Sequence, residues 1–198
     1  CAYMTAEQMV TRARVAAGEL VLITGSSGGV GSALLQLCKI RGAQTIAITS
    51  KSKFESVAYL KPDYMVARDA GSLIDSVKSQ IGDKAIDVIL DVVAGPLFKD
   101  MINLLRAEGR YSTAGAMAGP IVELDLRTLY LKQLEMHGSS QGTRACFKTL
   151  VDLIEAGKLK PIVAKTYPLS LIHKAQHDFT QKKHFGNIVM IPDSKYKV

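Results

Sequence analysis

The sequence predicts an α/β fold, a doubly wound six-stranded parallel sheet with helices on both of its faces. Short apolar, β-branched runs alternate with longer segments of helical spacing along the first 142 residues. A glycine-dense loop at residues 25–31 joins the first apolar run to a helical segment. Strands that alternate with helices pair in parallel through right-handed crossovers, so these two observations predict the fold class.

The glycine loop (residues 25–31) is the most informative stretch. It follows residues 20–23, four apolar residues that suit a strand buried on both faces. Free N–H groups and the positive end of a helix dipole favour a phosphate, above all the pyrophosphate of a dinucleotide. Missing Cβ atoms let a ligand approach and let the helix pack closely. The alternative is a tight strand-to-helix turn without a ligand. The predicted cofactor-binding residues here are Ser26, Ser27, Gly28, Gly29, Val30 and Gly31.

The other elements follow from the same periodicities. A first helix is predicted over 5–17, with Thr5 as its cap and Gly18 at its end. The strands are predicted at 19–24, 45–50, 64–67, 86–93, 109–114 and 134–137. The helices between them are predicted at 32–40, 53–60, 71–81, 96–105 and 126–133. Ligands of such sheets lie at the carboxyl ends of the strands, so we expect one beside the first, fourth and fifth.

The pattern changes after Gly142. A helix over 144–156, extended pieces at 160–163 and 165–169, a helix over 170–182 and a strand at 188–191 are not needed to complete the sheet. We therefore divide the chain into residues 1–142, a dinucleotide-binding domain, and residues 143–198, a segment of a second body.

Composition narrows the class of partner. The net charge is +7, but the Lys and Arg residues are scattered, which favours a solvated surface over a nucleic-acid partner. No apolar run is long enough to span a membrane. Three widely spaced cysteines form no disulfide framework, so we expect a cytoplasmic protein.

Several motifs match one family in the same order along essentially the whole chain. They lie at 18–31, 86–91, 109–111, 157–161, 167–170 and 185–189. On these residues the chain resembles the medium-chain dehydrogenase/reductase superfamily, especially its quinone-oxidoreductase-like and zinc-type alcohol-dehydrogenase-like members. Asn187 departs from the pattern, because relatives usually carry Lys there.

The resemblance implies a fold, a reaction and an assembly. The fold is a Rossmann domain, followed by a C-terminal remnant of a GroES-like catalytic domain whose N-terminal part is missing. The reaction is hydride transfer between nicotinamide and a quinone, enone or other activated carbonyl compound. Most catalytic residues would lie in the missing part, so none is assigned. Relatives form homodimers through the sixth strand, here residues 134–138.

The end of the second strand favours NADP(H) over NAD(H). NAD enzymes place an acid there to bind the ribose hydroxyls, but residues 50–53 read Ser-Lys-Ser-Lys and no acid precedes Glu55. Hydroxyl and ammonium groups suit a 2′-phosphate, and the resemblance gives Lys53 that contact. It also places Val92 and residues 114–116 beside the adenine ribose and nicotinamide. The cofactor site thereby gains Ser50, Lys53, Val92, Ala114, Gly115 and Ala116.

Two alternative functions stay open. One is a zinc-dependent alcohol dehydrogenase, because Cys1 precedes Thr5 by the spacing at which such enzymes place a zinc ligand. Metal-free relatives also carry Cys at this place, so we expect no metal site. The other is a nucleotide- or RNA-binding module without turnover, which the basic charge permits.

Overall fold

Six parallel strands form the central sheet of the computed structural model, which describes residues 1–69 and 71–195. The strands are β1 (Leu20–Ile23), β2 (Gln44–Thr49), β3 (Tyr64–Ala67), β4 (Ile86–Asp91), β5 (Leu105–Thr113) and β6 (Glu135–Gly138). Their spatial order is β3-β2-β1-β4-β5-β6, so the direction of winding reverses between β1 and β4. The predicted fold class is confirmed, and this reversal opens a crevice where such sheets bind ligands.

Helices cover both faces of the sheet. They are α1 (Ala2–Arg12), α2 (Gly29–Ile40), α3 (Phe54–Ala58), α4 (Leu73–Ile81), α5 (Phe98–Leu104), α6 (Leu126–Leu131), α7 (Arg144–Glu155) and α8 (Ile172–Thr180). Side chains of β1 alternate between two apolar clusters. Val21 and Ile23 join α1 and α2 in one, whereas Leu20 and Leu22 join α4 and α5 in the other. The central strand is therefore buried on both faces, as its uninterrupted apolar run predicts.

Some predicted boundaries are wrong. The first helix begins at Ala2 and ends at Arg12 instead of covering 5–17, because Arg14 turns the chain with a φ of 51°. Thr5 lies inside this helix and donates its N–H to the Cys1 carbonyl oxygen at 3.0 Å. β5 begins at Leu105 rather than at 109, because Leu105 pairs with Ile86 before a register shift.

The C-terminal segment adds a second, smaller sheet. β7 (Val163–Pro168) pairs in parallel with β8 (Asn187–Ile191), and α8 connects them. The segment also packs on the first domain, because Leu150 of α7 and Leu159 share the apolar cluster of α1 and α2. The last three residues of the predicted segment, 196–198, lie outside the described residues. In the part of the chain that the structure describes, no helix is long and apolar enough to cross a membrane.

Candidate cofactor-binding site

The glycine loop lies at the carboxyl end of β1, in the crevice beside β4. Gly25 turns the chain with a φ of 58°, and a Cβ there would lie 2.9 Å from Val92 Cγ2. A Cβ on Gly31 would lie 2.6 Å from Ser26 Cα and closer still to the Gly25 carbonyl oxygen. Glycine at 31 thus lets α2 pack directly against the turn that precedes it.

The start of α2 fits a phosphate. Gly28 precedes the helix, and within the described residues no side chain caps the first turn. The first N–H groups of a helix have no intrahelical acceptor, and they carry the positive end of its dipole. A Cβ on Gly28 would meet only the Gly25 carbonyl oxygen at 3.4 Å, so the space beside it is open to a ligand.

The two serines of the loop have internal roles. Ser26 is fully buried. Its hydroxyl donates to the Ile23 carbonyl oxygen at 2.8 Å, and its N–H donates to the Ile48 carbonyl oxygen at 3.2 Å. The Ser27 carbonyl oxygen accepts the Gly186 N–H at 3.0 Å. Ser26 therefore shapes the loop, whereas Ser27 joins it to the C-terminal segment.

A buried carboxylate fixes the opposite side of the crevice. Asp91 ends β4, is fully buried and accepts the hydroxyls of Thr24 and Tyr111, each at 2.5 Å. It also accepts the N–H groups of Val93 at 2.9 Å and Ala94 at 3.1 Å. Burial and the adjacent Asp91 charge raise the pKa of Tyr111, so its phenol stays a donor. The two hydroxyls fix the carboxylate, and the two N–H bonds hold Val93 and Ala94 against it. The Val92 N–H donates to Thr24 Oγ1 at 3.0 Å. The sequence does not reveal these bonds.

Positive side chains gather at the ends of β2 and β3. Lys53 donates Nζ to the His184 carbonyl oxygen at 3.1 Å. Its pKa is lowered, first by burial and then by the charges of Arg68 and Lys182. Arg68 lies here because Thr49 pairs with Ala67, and its N–H donates to the Thr49 carbonyl oxygen at 2.9 Å.

Ser50 completes this end of the site, with its Oγ 3.1 Å from Ser52 Oγ. The predicted Ser50 and Lys53 lie together, since the Lys53 N–H donates to the Ser50 carbonyl oxygen at 2.9 Å, whereas the sequence analysis does not identify Arg68 and Lys182. The position of Arg68 directly after the third predicted strand was the available signal for it.

The predicted residues Ala114, Gly115 and Ala116 line a hollow of about 420 Å³ at the carboxyl ends of β5 and β6. Thr113 and residues 138–140 complete its wall. A Cβ on Gly115 would lie 2.9 Å from the Val92 carbonyl oxygen, so this hollow adjoins the turn that Asp91 fixes. A second hollow of about 280 Å³, between α5 and the approach to α6, contains none of the predicted residues.

The turn between α8 and β8, residues 181–186, lies against the glycine loop. Its Gly186 forms an isolated parallel β-bridge with Gly28, and the carbonyl oxygen of its His184 accepts a hydrogen bond from Lys53 Nζ. Asn187 follows, with its carboxamide beside Gly29, where a Cβ would clash with it. Asn187 Nδ2 donates to the Ile162 carbonyl oxygen at 3.1 Å. We call residues 181–186 the C-terminal turn.

Cys1, the possible zinc ligand considered from the sequence, is exposed and precedes α1. Among residues 1–69 and 71–195, no three His, Cys, Asp or Glu side chains group closely enough to hold a metal ion. The residues described here therefore do not by themselves form a zinc site.

The chain is similar to a family of known proteins. Residues 29–156 match the family model described as zinc-binding dehydrogenase. The chain is 30% identical over 176 residues to an acryloyl-coenzyme A reductase of Sulfurisphaera tokodaii, covering 88% of this chain and 51% of that protein. It is 30% identical over 176 residues to a quinone oxidoreductase of Sus scrofa, covering 85% of this chain and 53% of that protein.

A solved structure shares both fold and sequence. A Sinorhizobium meliloti 1021 protein, provisionally described as an alcohol dehydrogenase, is 53% identical with a TM-score of 0.94. The match covers 98% of this chain and 54% of that one. The chain thus spans about half the length of the relatives it matches.

Proposed function

Because the chain belongs to the medium-chain dehydrogenase/reductase superfamily and forms its cofactor-binding half, we propose that it is the NADP(H)-binding part of an oxidoreductase. The reaction is hydride transfer between nicotinamide and a quinone, an enone or another activated carbonyl compound. The observation that carries the proposal is the glycine-lined start of α2 beside β4, which no side chain of the described residues caps, with positive side chains at the end of β2.

A nicotinamide dinucleotide supplies the hydride when it is bound, and the protein binds and orients it. The first turn of α2 provides N–H donors and a positive dipole end for the pyrophosphate. Asp91 accepts the N–H groups of Val93 and Ala94, and Thr24 accepts that of Val92. This wall of the crevice is therefore fixed before a ligand arrives, which lowers the cost of ordering it on binding.

NADP(H) is the proposed cofactor because the ribose end of the site is cationic. Lys53, Arg68 and Lys182 are close enough for the charges of the latter two to lower the pKa of Lys53. A 2′-phosphate relieves that repulsion and accepts charge-assisted hydrogen bonds. A ribose with free hydroxyls carries no negative charge and leaves that repulsion in place.

The names of the relatives support the proposed substrate class. An acryloyl-coenzyme A reductase, a quinone oxidoreductase and a protein provisionally described as an alcohol dehydrogenase are all similar to this chain. The first two names describe reduction of an activated C=C bond and of a quinone. These two acceptors therefore come first among the proposed substrates.

Titration of NADPH and NADH tests the cofactor assignment. Wild type should bind NADPH about tenfold or more tightly than NADH, since charge-assisted bonds to the 2′-phosphate are lost with NADH. Lys53→Glu should abolish this preference, while Lys51→Glu, an exposed neighbour with the same change of charge, should keep it. Tighter NADH binding in wild type would contradict the assignment.

A turnover assay tests the reaction. NADPH oxidation by the full-length protein should be stimulated by members of a quinone and enone panel. Binding of RNA that NADPH does not displace, with no turnover on the panel, would instead favour a non-catalytic nucleotide- or RNA-binding module.

A zinc-dependent alcohol dehydrogenase is the second candidate, favoured by the description of the matching family. Catalytic zinc takes three protein ligands and a water or substrate. Metal analysis of the full-length protein decides between the two. Stoichiometric zinc, with turnover lost to a chelator, supports this candidate, and turnover by metal-free protein supports the quinone or enone reductase.

A homodimer is part of the proposal. β6 is the edge of the sheet, and apolar side chains are exposed around it, with Leu131 at 71% and Met136 at 39%. Apolar edge strands invite pairing with a second copy. Light scattering should give twice the monomer mass, and Met136→Lys should lower it.

We also propose a cytoplasmic location. Cys1, Cys38 and Cys146 are free thiols, and disulfides are rare in proteins of a reducing compartment. Fractionation of expressing cells tests this location.

A further inference from the structure

The C-terminal turn lies beside the ribose end of the cofactor site, although 131 residues separate Lys53 from His184. Lys53 Nζ lies 3.1 Å from the His184 carbonyl oxygen. The His184 ring stacks on Phe179 at 5.3 Å between centroids. Lys182 Nζ lies 3.7 Å from the centroid of the same Phe179 ring. One aromatic side chain therefore holds Lys182 and His184 at the end of the site where Lys53 lies.

Three cations thus converge from three separate elements. Lys53 follows β2, Arg68 follows β3, and Lys182 follows α8. Among residues 1–69 and 71–195, none of the three forms an ion pair with a carboxylate. Like charges held together without a counterion repel one another, and an anion bound among them removes that repulsion.

We infer that Lys182, in the C-terminal turn, is a specificity-determining cation of the 2′-phosphate site beside Lys53 and Arg68. This inference rests on the proposed NADP(H) preference. It extends that site beyond the six-stranded sheet to a turn of the C-terminal segment.

The mutual repulsion of these groups supports the inference. Burial lowers the pKa of Lys53 most, followed by the charges of Arg68 and Lys182. Burial also lowers the pKa of His184 most, followed by the charges of Lys53 and Lys182. A dianionic phosphate beside Lys53 therefore interacts with Lys182 as well. NADH, which lacks that phosphate, gains nothing from Lys182.

Lys182→Asn tests the inference without disturbing the backbone. Lys182 has a φ of 53°, which Asn tolerates better than most residues. Lys183→Asn is the matched control, since it removes the same charge from the adjacent exposed position. The thermal midpoint of each variant confirms folding, and NADPH and NADH are titrated by fluorescence.

Lys182→Asn should raise the Kd of NADPH about fivefold, because one charge-assisted contact to a partly solvated phosphate is lost. It should leave the Kd of NADH unchanged, and Lys183→Asn should leave both unchanged. The effect on NADPH should shrink as salt is raised, since exposed charges are screened.

Equal NADPH affinities for Lys182→Asn and Lys183→Asn would overturn the inference. If wild type still prefers NADPH and Lys53→Glu removes that preference, the proposed function stands and only the role of Lys182 falls. If wild type shows no NADPH preference, the cofactor assignment and this inference fall together.

Discussion

Replacing Gly31 by alanine should destabilise the protein although it places alanine in a helix. The added Cβ would lie 2.6 Å from Ser26 Cα and 2.7 Å from the Gly25 carbonyl carbon. Both are backbone atoms, so no side chain can rotate away, and α2 must move off the turn. Overpacking of this kind costs about 1–3 kcal/mol, while alanine regains about 1 kcal/mol of helix propensity.

The contacts are short and rigid, so we place the overpacking cost at the upper end of that range. The net loss in the free energy of unfolding is then about 2 kcal/mol, which lowers the thermal midpoint by roughly 4–8 °C in a chain of this size. Denaturant titration followed by circular dichroism measures the loss.

Gly28→Ala is the matched control. Its Cβ would meet only the Gly25 carbonyl oxygen at 3.4 Å, and its φ of −82° suits any residue. The free energy of unfolding should therefore stay within about 1 kcal/mol of wild type. The methyl group would instead occupy space beside the start of α2, and NADPH affinity should fall about tenfold.

Wild-type stability in Gly31→Ala would refute the close packing of α2 on the glycine loop. Unchanged NADPH affinity in a folded Gly28→Ala protein would refute the close approach of the ligand at this loop.

Three further predictions follow from buried polar groups. Asp91→Asn should lower the free energy of unfolding by about 2 kcal/mol. Tyr111→Phe should lower it less, because it removes one bond, whereas Asp91 also bonds Thr24 and two backbone N–H groups. Equal losses for the two variants in denaturant titrations would contradict this. Arg110→Lys should lower the free energy of unfolding by about 2 kcal/mol in the same titrations. The Arg110 guanidinium donates to two backbone carbonyl oxygens and pairs with Glu19, and an ammonium group cannot replace all of these bonds. Wild-type stability of the variant would contradict this. Burial raises the pKa of Cys38 from 9.0 to about 12, so stability should be full below pH 9 and decline as pH rises toward 12; no decline in an alkaline unfolding series would contradict it.

The sheet could be predicted from sequence because its strands carry local signals. The apolar run of β1 and the β-branched run of β4 both lie where expected. The start of β5 could not be predicted this way, because Leu105 is recruited by pairing with Ile86, and the charged residues that follow resemble a turn. The start of α1 was missed because Thr5, a good cap by composition, lies inside a helix that Cys1 precedes.

The candidate site was predictable where it follows the chain and not where it depends on distant contacts. The glycine loop follows β1 and Lys53 lies four residues after the end of β2, so their places follow from local sequence. The Asp91 network joins residues up to 67 positions apart, and the C-terminal turn meets Lys53 across 131 positions. Such contacts depend on how the segments pack, which periodicity does not encode.

Hydrogen exchange with and without NADPH tests the central claim most directly. If the cofactor binds in the crevice between β1 and β4, NADPH should protect the glycine loop and residues 50–54 and 92–94. The second hollow, at Ile102 and Leu124, should be unaffected. Protection confined to that hollow, or no protection of the glycine loop at saturating NADPH, would contradict the account.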